Sequence, residues 1–179
     1  MDFYELITKR ESCRSFDTEK TVDTALLKKC ARWACLAPSA CNSQPWSFVI
    51  VNKKELLPAV ARGVQDEGCN RLASDAPAFI IVYKEEAKLL SKFDGLINDS
   101  NSFRENDLGI AVAHLCLAAT ENGLTTCIMG WRNDRKINEA LGLPEEKKVH
   151  CVIAVGYSKT EEPRKKVRKN SDDKITVIE

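Results

Sequence analysis

Arginine and serine side chains alternate near the start of this chain. Arg10, Ser12 and Arg14 are separated by single residues, and in an extended segment every second side chain points the same way. Two guanidinium groups and a hydroxyl on one side of a segment can bind a phosphate, because guanidinium groups form charge-assisted, often bidentate hydrogen bonds to phosphate oxygens. The alternative is that both arginines pair with carboxylates on the surface, and the spacing alone leaves both interpretations open.

A loop rich in small and amide side chains runs from residue 37 to residue 46, with the sequence A-P-S-A-C-N-S-Q-P-W. Its two prolines favour extended geometry in the residues before them, and its short polar side chains suit a tight, hydrogen-bonded loop. Such side chains let a flat ligand approach the backbone, and the amides of Asn42 and Gln44 can hydrogen-bond to a heterocycle. The alternative is an ordinary connection between a helix and a strand.

The elements that position these residues follow from the periodicity of the apolar residues. Their order predicts an α/β sandwich within a single domain spanning residues 1–179. The run 77–83 is almost unbroken in its apolar character, so we expect it at the centre of the sheet. Residues 84–105 show poor periodicity and are either a lid or a plain loop. The predicted helices cover 2–9, 21–36, 53–63, 106–121 and 133–142, and the predicted strands cover 47–51, 77–83, 124–131 and 149–157.

The predicted helix 106–121 is apolar nearly all round. A helix of that kind is buried on every face, which in a chain of 179 residues indicates a subunit interface as well as a core. His114 lies on this helix, and we interpret it as a structural histidine of the interior or the interface. The last apolar run, 175–178, alternates like a strand and is expected to add to a partner's sheet or surface.

Composition excludes several classes of protein. The net charge is +1, so nothing indicates a nucleic-acid binder. The first residues lack the pattern of a signal peptide, and no apolar run reaches the length that spans a membrane, so we expect a cytoplasmic protein. The eight cysteines form no C-x-x-C pair and no Cys/His cluster at zinc spacing. We therefore expect reduced thiols that fill the core, and no metal site.

Familiar catalytic motifs are absent from the sequence. It contains no G-x-G-x-x-G after a strand, no G-x-x-x-x-G-K, no G-x-S-x-G and no H-E-x-x-H. The two histidines have no credible nucleophile near them in sequence. Any redox or group-transfer chemistry of this chain is therefore expected to need a cofactor.

Taken together, the motifs resemble the flavin-dependent nitroreductase family. The resemblance covers almost the whole chain in the family's order, and the loop at 37–46 is its most specific part. It also rests on the R-x-S-x-R spacing, the apolar helix after Asp107, the Met129-Gly130-Trp131 segment, and the run 153–157 followed by a proline and basic residues. The resemblance implies an α+β three-layer sandwich with a central, mostly antiparallel sheet flanked by helices. It also implies a homodimer that binds FMN between its two subunits.

Individual residues match positions that hold the cofactor in that family. The resemblance implies that Arg10, Ser12, Arg14 and Arg168 hold the FMN phosphate. It also implies that the backbone of Met129 and Gly130 faces the N5 edge of the flavin. The remaining matches are Pro38, Ser39 and Asn42 from the partner subunit, with Gln44 and Asn70 near the ring or the ribityl chain. No side chain is expected to be an obligatory acid or base.

The expected activity is that of an FMN-dependent oxidoreductase. NADH or NADPH would reduce the flavin, which would then reduce a small-molecule acceptor such as a nitro compound or a quinone by ping-pong turnover. One alternative is an FMN-binding carrier or sensor without turnover, and another is a thiol-rich structural or interaction domain. The segment 84–105 carries no recognisable substrate signature, so the acceptor and the preferred nicotinamide stay open.

Overall fold

The structure is a computed structural model that describes residues 1–65, 68–88 and 100–179, and the side chains of these residues except 100–102. The helices are α1 (Phe3–Lys9), α2 (Thr24–Ala34), α3 (Leu57–Val64), α4 (Ser100–Glu121) and α5 (Asp134–Leu141). The strands are β1 (Trp46–Val51), β2 (Ala78–Lys84), β3 (Thr125–Met129) and β4 (Lys148–Gly156). The predicted order of elements is confirmed, although the fourth helix starts at Ser100 rather than at 106.

The four strands form one sheet in the order β1-β2-β4-β3, and each neighbouring pair is antiparallel. Strand β2 is an interior strand, as its apolar run predicted. Its side chains alternate between two buried clusters: Ile80 packs on the side of α2 and α4, and Phe79 packs on the side of α3 and α5. The expected three-layer α+β sandwich with an antiparallel sheet is therefore confirmed.

Short local signals set the helix ends. The Asp23 carboxylate accepts a hydrogen bond from the Ala25 N–H at 2.9 Å and caps α2. Helix α4 ends at Glu121 and is followed by a left-handed Gly123 with φ of 76°, and the Leu124 N–H donates to the Ala119 carbonyl at 2.9 Å. That pattern satisfies carbonyls at the end of the helix and directs the chain into β3.

A bulge interrupts the pairing of β2 with β4. Val82 lies opposite Cys151, whereas Tyr83 lies opposite Val149, so His150 is the extra residue. Its ring Nδ1 is 3.2 Å from Glu105 Oε2. The other Glu105 oxygen accepts from Lys84 Nζ at 2.6 Å, so the bulge connects the sheet to α4.

Within one chain, α4 is buried on one side only; the expected burial on every face includes a subunit interface, which one chain does not test. Leu108 and Leu115 are fully buried, but Gly109, Ile110 and Ala113 are exposed. The elements of one chain cover only one side of the helix, chiefly α2, α1 and the sheet. The exposed side carries the apolar residues Ile110 and Ala113 as well as the polar Asn106.

The predictions for the run 175–178 and for the segment 84–105 concern the irregular parts of the chain. The run 175–178 forms no strand in this chain; it follows a short 3₁₀ turn at Asp172–Lys174, and its apolar residues are exposed. Of the irregular segment 84–105, Lys84 ends β2 and residues 100–105 belong to α4. Residues 89–99, where a lid or loop was expected, lie outside the described residues.

Candidate functional site

A basic pocket lies beside β3 and brings together residues from the two ends of the chain. Its volume is about 390 Å³. Several arginine and lysine side chains line it, but only one carboxylate does, that of Glu11. The sequence predicted Arg10, Ser12, Arg14 and Arg168 for this place, and all four line the pocket. The complete lining is Arg10, Glu11, Ser12, Arg14, Arg164, Lys165, Lys166, Val167 and Arg168.

Pairing with β3 positions the first half of the basic pocket. Ser12 forms a parallel bridge with Thr126, and the Cys13 N–H donates to the Thr126 carbonyl at 2.8 Å. The Cys13 side chain is buried. Because neighbouring side chains of an extended segment alternate in direction, Arg10, Ser12 and Arg14 share the opposite, outer side.

The basic run near the end of the chain supplies the second half. Arg164 Nη2 donates to the Ser12 carbonyl at 2.8 Å, and the Arg164 N–H donates to Glu11 Oε2 at 3.0 Å. Lys166 Nζ contacts the Thr8 carbonyl. Sequence reasoning did not select Arg164 or Lys166, and the only available signal was the density of basic residues in the run 164–169.

The charges in the basic pocket repel one another. Partial burial lowers the pKa of the Lys166 ammonium, and the nearby charges of Arg10 and Arg168 lower it further, while Glu11 acts in the opposite direction. A cluster of like charges that depresses the pKa of its own member is stabilised by a bound anion. The pocket therefore has the electrostatic character of a phosphate site.

The loop from Pro38 to Gln44 is held by its own polar groups. The Ser39 hydroxyl accepts from the Gln44 N–H at 2.9 Å, and Gln44 Nε2 donates to Asn42 Oδ1 at 3.0 Å. Cys41, Asn42 and Gln44 have left-handed backbones, with φ of 53°, 52° and 48°. The small and amide residues therefore stabilise a sharply folded loop. Its Pro38, Asn42 and Gln44 side chains remain exposed.

A buried carboxylate that sequence reasoning missed anchors this loop. Both Asp107 oxygens lie within hydrogen-bond distance of the Ala40 N–H, at 3.2 and 3.1 Å, and Asp107 is buried. Its position before an apolar helix was visible in the sequence, but its partner lies 67 positions away. Asp107 ties the loop to α4.

The third predicted group lies at the end of β3. The Met129 side chain is buried, and Gly130 is exposed directly after the strand. Asn70 Nδ2 donates to the Trp131 carbonyl at 3.2 Å and to the Val64 carbonyl at 2.9 Å. Asn70 is therefore adjacent to the Met129–Trp131 segment, as its assignment to one site requires.

The predicted groups do not all meet within one chain. The basic pocket and the end of β3 lie along one edge of the sheet, whereas the loop Pro38–Gln44 leads into β1 at the other edge. Three strand spacings of about 4.8 Å separate those edges, which amounts to about 14 Å. Arg10 lines the basic pocket, and Ser39 does not.

His114 lies in an apolar groove on the exposed side of α4. The groove has a volume of about 360 Å³, and the ring is half-buried. Within the described ranges no hydrogen bond to this ring is found, so one chain does not give it a hydrogen-bonded interior position; the other expected position, at a subunit interface, is not tested by one chain. The groove is lined by Leu6, Trp33, Leu36, His114, Leu117, Ala118 and Glu121.

Among the described residues, neither the thiols nor the carboxylates form a recognisable metal centre. All eight cysteines are free, and burial raises the pKa of the Cys151 thiol to about 12, with a contribution from Cys116. No group of three or more potential metal ligands occurs in the part of the chain that the structure describes. Over that same part, no helix is long and apolar enough to cross a membrane.

Comparison with known proteins identifies the family. The model of the nitroreductase family matches residues 7–157, which include the R-x-S-x-R segment, the loop before β1 and the end of β3. The chain belongs to the nitroreductase family. Its basic pocket extends beyond the matched region, because residues 164–168 follow it.

Relatives of this nitroreductase-family chain cover nearly its full length. An oxygen-insensitive NADPH nitroreductase of Helicobacter pylori (strain J99) is 28% identical, over 97% of this chain and 95% of the relative. An FMN-dependent nitroreductase from Clostridium difficile R20291 has a TM-score of 0.75 and 26% identity, and the match covers 98% of each chain. A nitroreductase family protein from Streptococcus pneumoniae TIGR4 has a TM-score of 0.83 at 23% identity, over 99% of this chain and all of its own. The last similarity concerns the fold.

Proposed function

We propose that this member of the nitroreductase family is an FMN-dependent oxidoreductase that uses NADH or NADPH to reduce nitro compounds, quinones or similar small acceptors. The observation that carries the proposal is the basic pocket on the same edge of the sheet as the exposed backbone after β3. The FMN-dependent relative from Clostridium difficile and the NADPH nitroreductase of Helicobacter pylori support it. Enzymatic activity of this general kind is expected of the family to which the chain belongs.

The residues present fit FMN. A phosphate monoester needs several positive charges and hydrogen-bond donors, and Arg10, Ser12, Arg14 and Arg168 supply them in one pocket. Gly130 lies four positions after Thr126, which is beside this pocket, and four steps of about 3.3 Å along a strand span about 13 Å. That edge offers room for an elongated cofactor whose phosphate and ring lie at opposite ends.

Each group of residues has a distinct role in this proposal. Bound FMN supplies hydride uptake from the nicotinamide and hydride delivery to the acceptor. The basic pocket holds the phosphate, and Asn70, Met129 and Gly130 position the ring. Pro38, Ser39, Asn42 and Gln44 line the ring from a second subunit. The protein thus binds and orients the reactants, and solvent supplies the proton that the reduced acceptor gains.

We also propose a two-fold homodimer, because one chain leaves the site open and an apolar surface uncovered. Phe3, Tyr4 and Leu36 are 69%, 76% and 77% exposed, and they lie with Ile110 and the apolar groove on one side of the chain formed by α1, α2 and α4. Exposed apolar surface of this extent marks an interface. A second chain would cover it and bring its loop Pro38–Gln44 to the basic pocket of the first.

The experiment begins with the purified protein and FMN. We expect a yellow complex whose flavin absorption bleaches when NADH or NADPH is added without oxygen. The absorption should return when a nitroaromatic compound or a quinone is then added. A protein that binds FMN but is not reduced by either nicotinamide would be a carrier or sensor. A protein that binds no FMN would contradict the whole proposal.

A further inference from the structure

The backbone after β3 is turned by a side chain that the sequence did not single out. Arg132 Nη1 donates to the Gly130 carbonyl at 2.7 Å, and Arg132 Nε donates to the Val149 carbonyl at 3.1 Å. The guanidinium therefore connects the end of β3 to the start of β4. It directs the Gly130 carbonyl toward β4, the one strand that pairs with β3 among the described residues.

A carboxylate fixes this guanidinium in place. Asp134 Oδ1 lies 3.4 Å from Arg132 Nε, and Asp134 Oδ2 accepts from the Val149 N–H at 3.1 Å. Arg132, Asp134 and Val149 thus form a closed ring of contacts. The Arg132 side chain is only 25% exposed, so its planar donors are held in one orientation rather than sampling solvent.

The next carbonyl is held by a different side chain. Asn70 Nδ2 donates to the Trp131 carbonyl and to the Val64 carbonyl. Because both partners are acceptors, the amide nitrogen must face them, which settles the orientation of the side chain. Asn70 itself has a left-handed backbone with φ of 49°. Two consecutive carbonyls, those of Gly130 and Trp131, are therefore held by side chains.

The Gly130–Trp131 peptide consequently presents its N–H at the free edge of β3. The C=O and N–H of one trans peptide point in opposite directions, so a Gly130 carbonyl directed at β4 turns the Trp131 N–H away from β4. This is the edge on which Cys13 pairs with Thr126. Across the described ranges no acceptor for the Trp131 N–H is found, and an unpaired donor at a strand edge is available to a ligand.

We propose that Arg132 is a positioning residue of the cofactor site, which fixes the Gly130–Trp131 peptide so that the Trp131 N–H donates to the flavin ring. The inference rests on the proposed function, since it takes FMN as the ligand. Arg132 also places a guanidinium, paired with the Asp134 carboxylate, at the ring end of the proposed site. It therefore governs the redox properties of the bound flavin, whereas the basic pocket governs its affinity.

The first test follows backbone amides by nuclear magnetic resonance during a titration with FMN. We expect the Trp131 amide signal to shift strongly as FMN binds. The Asn133 amide is an internal control, because its N–H already donates to the Gly63 carbonyl at 2.7 Å. In Arg132→Gln, the shift of the Trp131 amide signal on FMN binding should be less than half of the wild-type shift. Binding of FMN to the wild type without a shift at Trp131 would overturn the inference while leaving the proposed function intact.

The second test compares the midpoint potential of the bound flavin in variants. Arg132→Gln should lower the equilibrium constant for two-electron reduction about tenfold, which is about 30 mV, with the FMN dissociation constant changed less than about threefold. Arg132→Lys keeps the charge, so the midpoint potential of its flavin should lie between those of the wild type and Arg132→Gln. Arg135→Gln is the matched control, because Arg135 is an exposed arginine three positions later, and it should behave as wild type.

The outcomes separate positioning from general stability. If Arg132→Gln folds poorly, Asn70→Gly provides the same test, since glycine accepts the left-handed backbone while losing the amide; it should reduce the Trp131 shift in the same way. Wild-type potentials and amide shifts in both variants would refute the positioning role. Failure of the wild type to bind FMN would refute the proposed function, and this inference with it.

Discussion

The Ala40 N–H lies 3.2 and 3.1 Å from the two carboxylate oxygens of Asp107. This contact joins the loop Pro38–Gln44 to the first half of α4, and it places a charge-assisted hydrogen bond in a buried position. Replacing Asp107 by alanine leaves a partly buried N–H without its acceptor. We expect Asp107→Ala to lower the free energy of unfolding by about 1–3 kcal/mol, measured by urea denaturation.

Asparagine at the same position separates the hydrogen bond from the charge. Asp107→Asn keeps one oxygen acceptor of similar geometry and should lose less than half as much stability. The loop is also expected to bind flavin in the partner's site, so FMN should bind more weakly to Asp107→Ala. Equal unfolding free energies for wild type, Asn and Ala variants would show that this contact does not hold the loop.

Affinity for FMN should depend on Arg14. Arg14→Ala removes one charge-assisted contact to the phosphate, with an expected loss of roughly 1.5–3 kcal/mol, or roughly 10- to 150-fold in the dissociation constant. Arg10→Ala should behave similarly and Arg168→Ala more mildly. Fluorescence titration measures all three, with Arg135→Ala as the control for loss of a surface charge. Unchanged affinity in Arg14→Ala would remove the basic pocket from the proposed site.

The apolar groove leads to a prediction about His114. We expect it to have no part in proton transfer, because it lies among apolar residues of the proposed interface rather than beside the basic pocket. His114→Ala should keep the rate of flavin reduction within about tenfold, or about 1.4 kcal/mol of barrier. Stopped-flow reduction by NADH or NADPH measures this. A loss of several orders of magnitude, with FMN bound and the dimer intact, would assign His114 a catalytic role.

The proposed dimer can be tested at the end of the chain. Ile175 and Ile178 are 65% and 94% exposed, and burial of such side chains on a partner would stabilise the assembly. Deleting residues 171–179 should weaken dimerisation and FMN binding together, as measured by sedimentation velocity and flavin titration. A wild-type monomer at micromolar concentration that is fully loaded with FMN would contradict the shared site.

Stability should depend on pH through His150. Burial lowers the pKa of its imidazole below the usual 6.5, and Lys84 and Arg132 add to this, while Glu105 opposes it. The unfolded chain then binds the proton more readily than the folded one, so this contribution to stability is complete above pH 6.5 and is lost as the pH falls below it. His150→Gln should show a flatter decrease in unfolding free energy between pH 7 and pH 5, and equal slopes would contradict this prediction.

The sequence predicted those features that depend on local pattern. The spacing of Arg10, Ser12 and Arg14 predicted a shared side because an extended segment has a period of two, and the apolar run of β2 predicted an interior strand. Helix α2 begins after a capping aspartate, which is also a local signal. The family resemblance supplied the antiparallel sheet and the remaining site residues.

Other contacts could not be predicted because their partners are distant along the chain. Arg164 binds the Ser12 carbonyl 152 positions earlier, and Asp107 binds Ala40 across 67 positions. No periodicity or short motif records such pairs. The apolar composition of α4 predicted burial by the core and by a subunit interface together, and the contacts within one chain account only for the side that faces α2, α1 and the sheet. The contacts of Arg132 could not be predicted either, because a lone arginine after a strand has no distinguishing pattern.

The separation of Ser12 from Arg164 also bears on the order in which the protein is made. Residues 10–14 leave the ribosome long before residues 164–168, yet both segments are needed to assemble the full set of cations in the basic pocket. We therefore expect that a nascent chain cannot hold FMN tightly in this pocket before residues 164–168 have emerged. Loading with FMN is expected to follow the packing of Arg164 and Lys166 against residues 8–12.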